Sequence, residues 1–331
     1  YSNAPALSIL FEKDDYYTSA TSSASNLVTF LGNHDVGRVG FILGSKRIQP
    51  PAQLLPRANL ANALLYFSRG IPVVYYGDEV GMTGTNAGND QFARQDMFAT
   101  QVEIWKNEIR IGGSPIGDGD AFQATNTSPI ARYLKQISEL RRTNPGLANG
   151  VMQIRHSLNS LFVISKKDPL ENREYIVAFN NSDSDESVDI TSATSEGGWQ
   201  ILLGDSDITA DSNKLSFTVP ALSTVIFKAR NTIDVVAIKI GKLKSVFDDM
   251  TGFYQVKADL NSADLLKVEF FTRTLGSTKW TSNGVDTGAP YSIFLDPLDF
   301  PKKNIEIKAV ATNSKGKTFV LPLTKLTFPA P

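Results

Sequence analysis

The triplet Asn33-His34-Asp35 stands directly behind the apolar run Val28, Thr29, Phe30 and Leu31, and Gly77-Asp78-Glu79 stands behind a second run from Ile71 to Tyr76. Polar groups at the end of a buried strand can converge on one pocket. A histidine beside an aspartate can there hydrogen-bond hydroxyl-rich ligands or hold charge near a cationic transition state. The triplet alone is equally compatible with a turn in which Asp35 accepts backbone amides. His156 is the other histidine, at the end of a strand pattern, and reads as structural. Cysteine is absent, which excludes disulfides, thiolate nucleophiles and cysteine metal sites.

The elements that must hold these groups follow from the hydrophobic pattern. Pro5, Ala6, Leu7, Leu10 and Phe11 predict a helix near 5 to 13. Leu60, Ala63, Leu64 and Phe67 predict another near 54 to 69, stopped at Gly70. The runs 27 to 31 and 71 to 76 are nearly continuous in apolar residues, as strands of a parallel sheet covered on both faces would be. Ser128 and Pro129 open a further helix through Ile130, Tyr133, Leu134, Ile137 and Leu140, closing at Asn144-Pro145-Gly146. From Val151 the pattern changes to short strands at 151 to 155, 161 to 166, 174 to 180, 199 to 203, 214 to 219 and 223 to 229, which predicts an antiparallel sandwich. A second all-β unit starts near Asn231. There Ile305, Ile307, Ala309 and Ala311 alternate with Glu306, Lys308 and Val310, and about seven strand-like segments suggest an immunoglobulin-like sandwich.

The 331 residues carry 33 Lys plus Arg against 34 Asp plus Glu, so no general field draws in nucleic acid or an anionic membrane. No apolar run approaches the length of a membrane helix. The loop Asn180 to Asp185 is rich in oxygen ligands but lacks the spacing and terminal glutamate of a calcium loop, and reads as a solvated turn. Trp199 and Trp280 could stack on sugar, although a tryptophan in such a sandwich is more often core. The start of the chain, Tyr1 and Ser2-Asn3-Ala4, reads as native sequence from the middle of a domain.

FLGNHDVGR (30 to 38), GIPVVYYGDEVG (70 to 81) and DQFARQDMF (90 to 98), in that order, resemble the seventh and eighth barrel strands and following loop of the α-amylase-type glycoside hydrolases. DDYYT (14 to 18) and ELRRTNPGL (139 to 147) look like the same family, so the resemblance covers roughly residues 1 to 230. It implies a multidomain α/β plus all-β chain. Residues 1–150 would be the C-terminal part of a (β/α)8 TIM barrel and 151–230 the amylase-type C-terminal antiparallel β-sandwich, with 231–331, by its strand pattern, an additional immunoglobulin-like sandwich. Asp35 matches the family's third carboxylate, a transition-state stabiliser, and His34 the histidine that hydrogen-bonds the sugar, with Asn33 supporting the pair. Glu79 and Arg94 match positions at the barrel mouth, where structural roles are favoured.

The family's nucleophilic Asp and acid/base Glu have no counterpart here, and a retaining glycosidase needs both. The resemblance therefore implies a fragment that is inactive alone. Its parent would be a secreted, retaining glycosidase cutting α-1,4-glucosidic bonds of starch or glycogen. The partners implied are an α-glucan and a missing upstream barrel segment, with no nucleic acid or membrane. No cofactor is implied within this chain; the family's usual calcium ligands lie largely upstream. A polysaccharide-binding or surface-attachment module derived from an amylase, and a related transglycosylase, are the alternative readings.

Overall fold

The computed structural model describes residues 4–45, 51–84, 90–113, 121–234, 237–261, 266–300 and 304–328; Tyr1 to Asn3 fall outside them. The first segment is mainly helical: α1 (Ala4–Lys13), α2 (Val39–Ser45), α3 (Pro51–Phe67), α4 (Glu103–Lys106), α5 (Ala121–Ala124), α6 (Pro129–Thr143) and α7 (Pro145–Asn149). Two short strands, β1 (Val28–Phe30) and β2 (Ile71–Val73), pair in parallel with Thr29 opposite Pro72. Gly70 turns the chain from α3 into β2 at φ +118°, where a Cβ would lie 2.9 Å from the Leu27 carbonyl oxygen, so only glycine fits. Ser128 caps α6 by accepting the Ala131 N–H, with Pro129 in the first turn.

The parallel pair is poorly covered for a strand pair of this composition. Val28 is 61% exposed, Phe30 48% and Ile71 49%, although their sequence reads as a sheet buried on both faces. Apolar faces of this kind require covering partners, and the described residues supply none.

The first antiparallel unit has a five-stranded sheet in the order β3 (Val151–Leu158), β4 (Leu161–Asp168), β5 (Arg173–Asn180), β10 (Ser223–Ala229), β7 (Trp199–Leu203). A three-stranded sheet, β6 (Glu186–Thr191), β9 (Lys214–Val219) and β8 (Ile208–Asp211), packs against it. Strands β6 and β8 escape the sequence pattern, because β6 alternates Val188 and Ile190 with Asp189 in a charged context and β8 is four mostly polar residues.

The large sheet is covered on both faces. Phe162, Ile164, Val177 and Phe179 pack against α3, α6 and α7. Leu161, Val163, Ile176 and Ala178 face Val188, Leu215 and Phe217 of the smaller sheet, with Trp199 packed at the edge of that core. This double covering makes β4 buried along its whole length, including Lys166 and Lys167. His156 lies inside β3, opposite Val163 at a register irregularity, rather than at a strand end; burial lowers its pKa. In the loop Asn180 to Asp185 the side chains close their own turn: Asn180 donates to the carbonyls of Ser184 and Val219 and accepts the Ser182 N–H.

The second antiparallel unit has eight strands among the described residues. A three-stranded sheet, β11 (Lys239–Asp248), β12 (Phe253–Asn261) and β15 (Ser292–Leu295), faces β14 (Thr281–Asp286), β13 (Leu266–Thr274), β16 (Asn304–Asn313), β17 (Thr318–Val320) and β18 (Thr324–Thr327). Ile305, Ile307, Ala309 and Ala311 point into the shared core with Val256, Phe270 and Ile293. Trp280, expected in that core, lies against Arg273 and Lys308 instead, each 4.5 Å from a ring of the indole. Lys308 alternates with inward-facing Ile307 and Ala309, so the tryptophan covers the outward face of β16.

Candidate active site

Because β1 and β2 run parallel, the loops that follow them leave on one side. The chain doubles back after β1 through an antiparallel bridge between Asn33 and Gly37. Gly32 makes the reversal sterically feasible, since a Cβ there would lie 2.4 Å from the Gly37 carbonyl oxygen. Inside this loop the Asn33 Oδ1 accepts the N–H groups of Asp35 and Val36, each at 2.8 Å. The turn that Asp35 could have made with its own carboxylate is thus made by Asn33.

The Asp35 carboxylate is left for other groups. Its Oδ2 lies 3.3 Å from His34 Nε2 and its Oδ1 3.5 Å from Arg94 Nη2, with the Asp35 side chain 64% exposed. Arg94 also pairs with Asp90 at 2.5 Å and directs its Nε at the His34 carbonyl. The structure therefore brings together Asn33, His34, Asp35 and Arg94, with Arg94 spanning two carboxylates. Glu79 is turned away into its own loop, where its Oε2 accepts the Gly77 N–H at 2.7 Å and its carbonyl accepts the Ser128 hydroxyl.

Beneath these loops lies a buried polar chain that the sequence patterns do not single out. Arg38, 1% exposed, donates from Nε to Gln95 Oε1 at 2.6 Å and from Nη1 to the Tyr76 carbonyl and to Asp78 Oδ1. Its guanidinium stacks 4.6 Å from the Tyr75 ring. Gln95 donates in turn to Glu108, whose other oxygen accepts the N–H groups of Thr83 and Gly84. Burial lifts the Asp78 carboxyl to about 6, against the opposing pull of Arg38. Arg38 ends FLGNHDVGR and Gln95 lies in DQFARQDMF, so both sit inside recognised motifs; Glu108 has no motif around it. Val80, Met82, Met97 and Ala121 fill the apolar space beside this chain.

Chemically, the surface cluster offers one carboxylate, one imidazole and one guanidinium at the mouth of a parallel sheet. That set can bind hydroxyl groups and stabilise positive charge. Among the described residues no group of three or more His, Asp or Glu converges as a metal site.

Comparison with known proteins places these features in context. The family described as alpha amylase, catalytic domain, matches residues 7–112. An alpha-amylase of Streptomyces lividans is 35% identical over 327 residues, which is 96% of this chain and 35% of the relative. A cyclomaltodextrin glucanotransferase of Bacillus sp. strain 38-2 is 26% identical over 185 residues, 55% of this chain and 21% of the relative. The chain thus spans about a third of the first of these relatives and about a fifth of the second. A solved alpha-amylase from Anoxybacillus superposes with a TM-score of 0.50 at 18% identity, over 71% of this chain and 44% of the other, a likeness of fold.

Proposed function

From the kinship of this chain with the α-amylase-type glycoside hydrolases, we propose that it supplies the last two barrel strands and one active-site carboxylate of a retaining α-glucan hydrolase. The observation that carries this reading is the state of Asp35. Asn33 takes over the turn, so the Asp35 carboxylate stands free of the backbone beside His34, at the end of the first strand of a parallel pair.

In this reading Asp35 binds sugar hydroxyls and stabilises the oxocarbenium-like transition state, and His34 donates to the sugar in the same subsite. The nucleophile and the acid/base belong to barrel strands other than these two. The exposed faces of Val28, Phe30 and Ile71 are where those strands would pack. The chain alone is accordingly inactive, and its substrate is the α-1,4-glucosidic bond of starch or glycogen. External starch is too large to enter a cell, which favours an extracellular place for the enzyme. The two-sheet architecture of residues 239 to 327 supports an immunoglobulin-like appended module.

Transglycosylation is the second reading, favoured by the glucanotransferases among the relatives. One experiment addresses both. The chain is assayed on soluble starch by itself, and again fused behind the preceding barrel portion of the Streptomyces lividans relative. Reducing ends released only by the fusion, and lowered about 100- to 1,000-fold by Asp35→Asn, support the hydrolase. Cyclic or elongated products from the fusion instead support the transferase. Full activity of the unfused chain refutes its inactivity alone, and an unchanged rate in Asp35→Asn refutes the assignment of Asp35.

A further inference from the structure

The second antiparallel unit is fastened to the helical segment by a buried acidic cluster that none of the site chemistry uses. Arg69, between α3 and β2, donates to Asp14 and to the Phe11 carbonyl and lies 3.1 Å from Asp15 Oδ1. From the other side, the Ser292 hydroxyl of β15 donates to Asp15 Oδ2 at 3.2 Å. Asp286, at the end of β14, accepts the N–H groups of Gly288 and Ser292 at 2.8 and 2.7 Å. Gln255 of β12 donates to the Glu12 carbonyl, and Lys257 lies 3.9 Å from the Glu12 carboxylate. On the rim, Lys13 pairs with Asp248 at 2.8 Å and the Tyr16 ring packs 4.9 Å from Phe253.

The charges in this junction do not balance. Among the described residues, the cations paired or coupled with Glu12, Asp14, Asp15 and Asp286 are Arg69 and Lys257, while Lys13 on the rim is taken by Asp248. Asp286 is 4% exposed, and burial lifts its carboxyl to about 6 against the pull of its backbone donors and Arg69; Asp15 is 2% exposed with the Asp286 charge nearby. Two ionised carboxylates sharing one buried guanidinium repel each other, and a proton on one of them relieves the repulsion.

We propose that residues 12 to 16 and Arg69 form a latch for the second antiparallel unit, and that the latch closes with Asp15 in its neutral, protonated form. Protonated on Oδ2, Asp15 donates to the Ser292 hydroxyl oxygen while its Oδ1 still faces Arg69. Burial and the Asp286 charge raise the Asp15 pKa to about 9, consistent with this state at neutral pH. The sign follows from linkage. The closed latch binds a proton that an open, solvated Asp15 releases above about pH 4, so docking is strongest in acid and weakens as pH rises towards 9.

The chain lacks cysteine, so Asp205→Cys in the first antiparallel unit and Lys315→Cys in the second can carry a donor and an acceptor dye. The quantity measured is the urea midpoint for loss of energy transfer between pH 5.5 and 10, with circular dichroism reporting that the sheets remain folded. The parent chain should lose docking strength by up to about tenfold per pH unit until about pH 9, and level off above it. Asp15→Asn, which keeps the size and an acceptor but cannot ionise, should stay level from about pH 7 upward, above the Asp286 titration, where the parent still slopes. Ser292→Ala, which removes the hydroxyl partner and leaves the carboxyl, should lower the midpoint at every pH and keep the slope. A midpoint independent of pH in the parent, or an equal slope in Asp15→Asn, overturns the proposal.

Discussion

Asn33 Oδ1 accepts the backbone N–H of Asp35 at 2.8 Å, so the shape of the loop after β1 is set by an amide rather than by the carboxylate beside it. That division of labour keeps the Asp35 side chain available to His34 and Arg94.

Replacing Asn33 by Ala removes the acceptor for two backbone donors, those of Asp35 and Val36. The loop should loosen by about 1–2 kcal/mol, within the range for losing a side-chain cap. Amide hydrogen exchange at Asp35 and Val36 should accelerate by about tenfold, and rates equal to those of the parent would count against the Asn33 role.

Arg38 holds three loops at once through Gln95, Tyr76 and Asp78. Removing one partner of a buried ion pair leaves the other uncompensated, so Arg38→Met should destabilise this region by about 3–5 kcal/mol. The check is the urea concentration at which residues 30 to 113 become cleavable. Adding Asp78→Asn should recover part of the loss; failure to recover any of it would mean that the pair is not coupled.

Proteolysis should act first on residues 30 to 113 and leave the two antiparallel units intact. The parallel pair is two short strands with exposed apolar faces, whereas β4 and β5 are buried by helices on one side and a second sheet on the other. Helix α6 should survive with the first unit, because Ile130, Leu134 and Ile137 share a core with Phe162 and Val177. Mass spectra of early fragments showing cuts within β3 to β10 before any in 30 to 113 would contradict this ranking.

Lys166 is fully buried, donating to the Leu147 carbonyl at 2.7 Å, and burial with Arg141 nearby lowers its pKa to about 7. An unfolded lysine titrates near 10.4, so between these values the native state binds fewer protons and stability rises with pH. The contribution lost as pH falls back through 7 is of order 1.4 kcal/mol per unit across the window. The stability difference between the parent and Lys166→Met should therefore shift in the parent's favour from pH 7 to 9.5; a constant difference would rule out the titration.

Much of the architecture was legible because local patterns are physically strong. The apolar face of Leu60, Ala63 and Phe67 with its glycine stop predicted α3, and alternation from Ile305 to Ala311 predicted the inward face of β16. Strands β6 and β8 were missed because short, polar segments carry little periodic signal and are held by pairing with β9. Trp280 was assigned to the wrong side because burial of an aromatic depends on which face of the sheet it meets, which its own sequence neighbours do not state.

The candidate site divides in the same way. By itself the sequence determined that a carboxylate and an imidazole follow an apolar strand and, through ordered motifs, which family they resemble, since residue type and spacing are local properties. Only the tertiary structure decided that Asn33 makes the turn, that Arg94 spans Asp35 and Asp90, and that Arg38, Gln95 and Glu108 link the loops below. These contacts join residues far apart in the chain, and a buried polar group finds its partner by position in space, not by distance along the sequence.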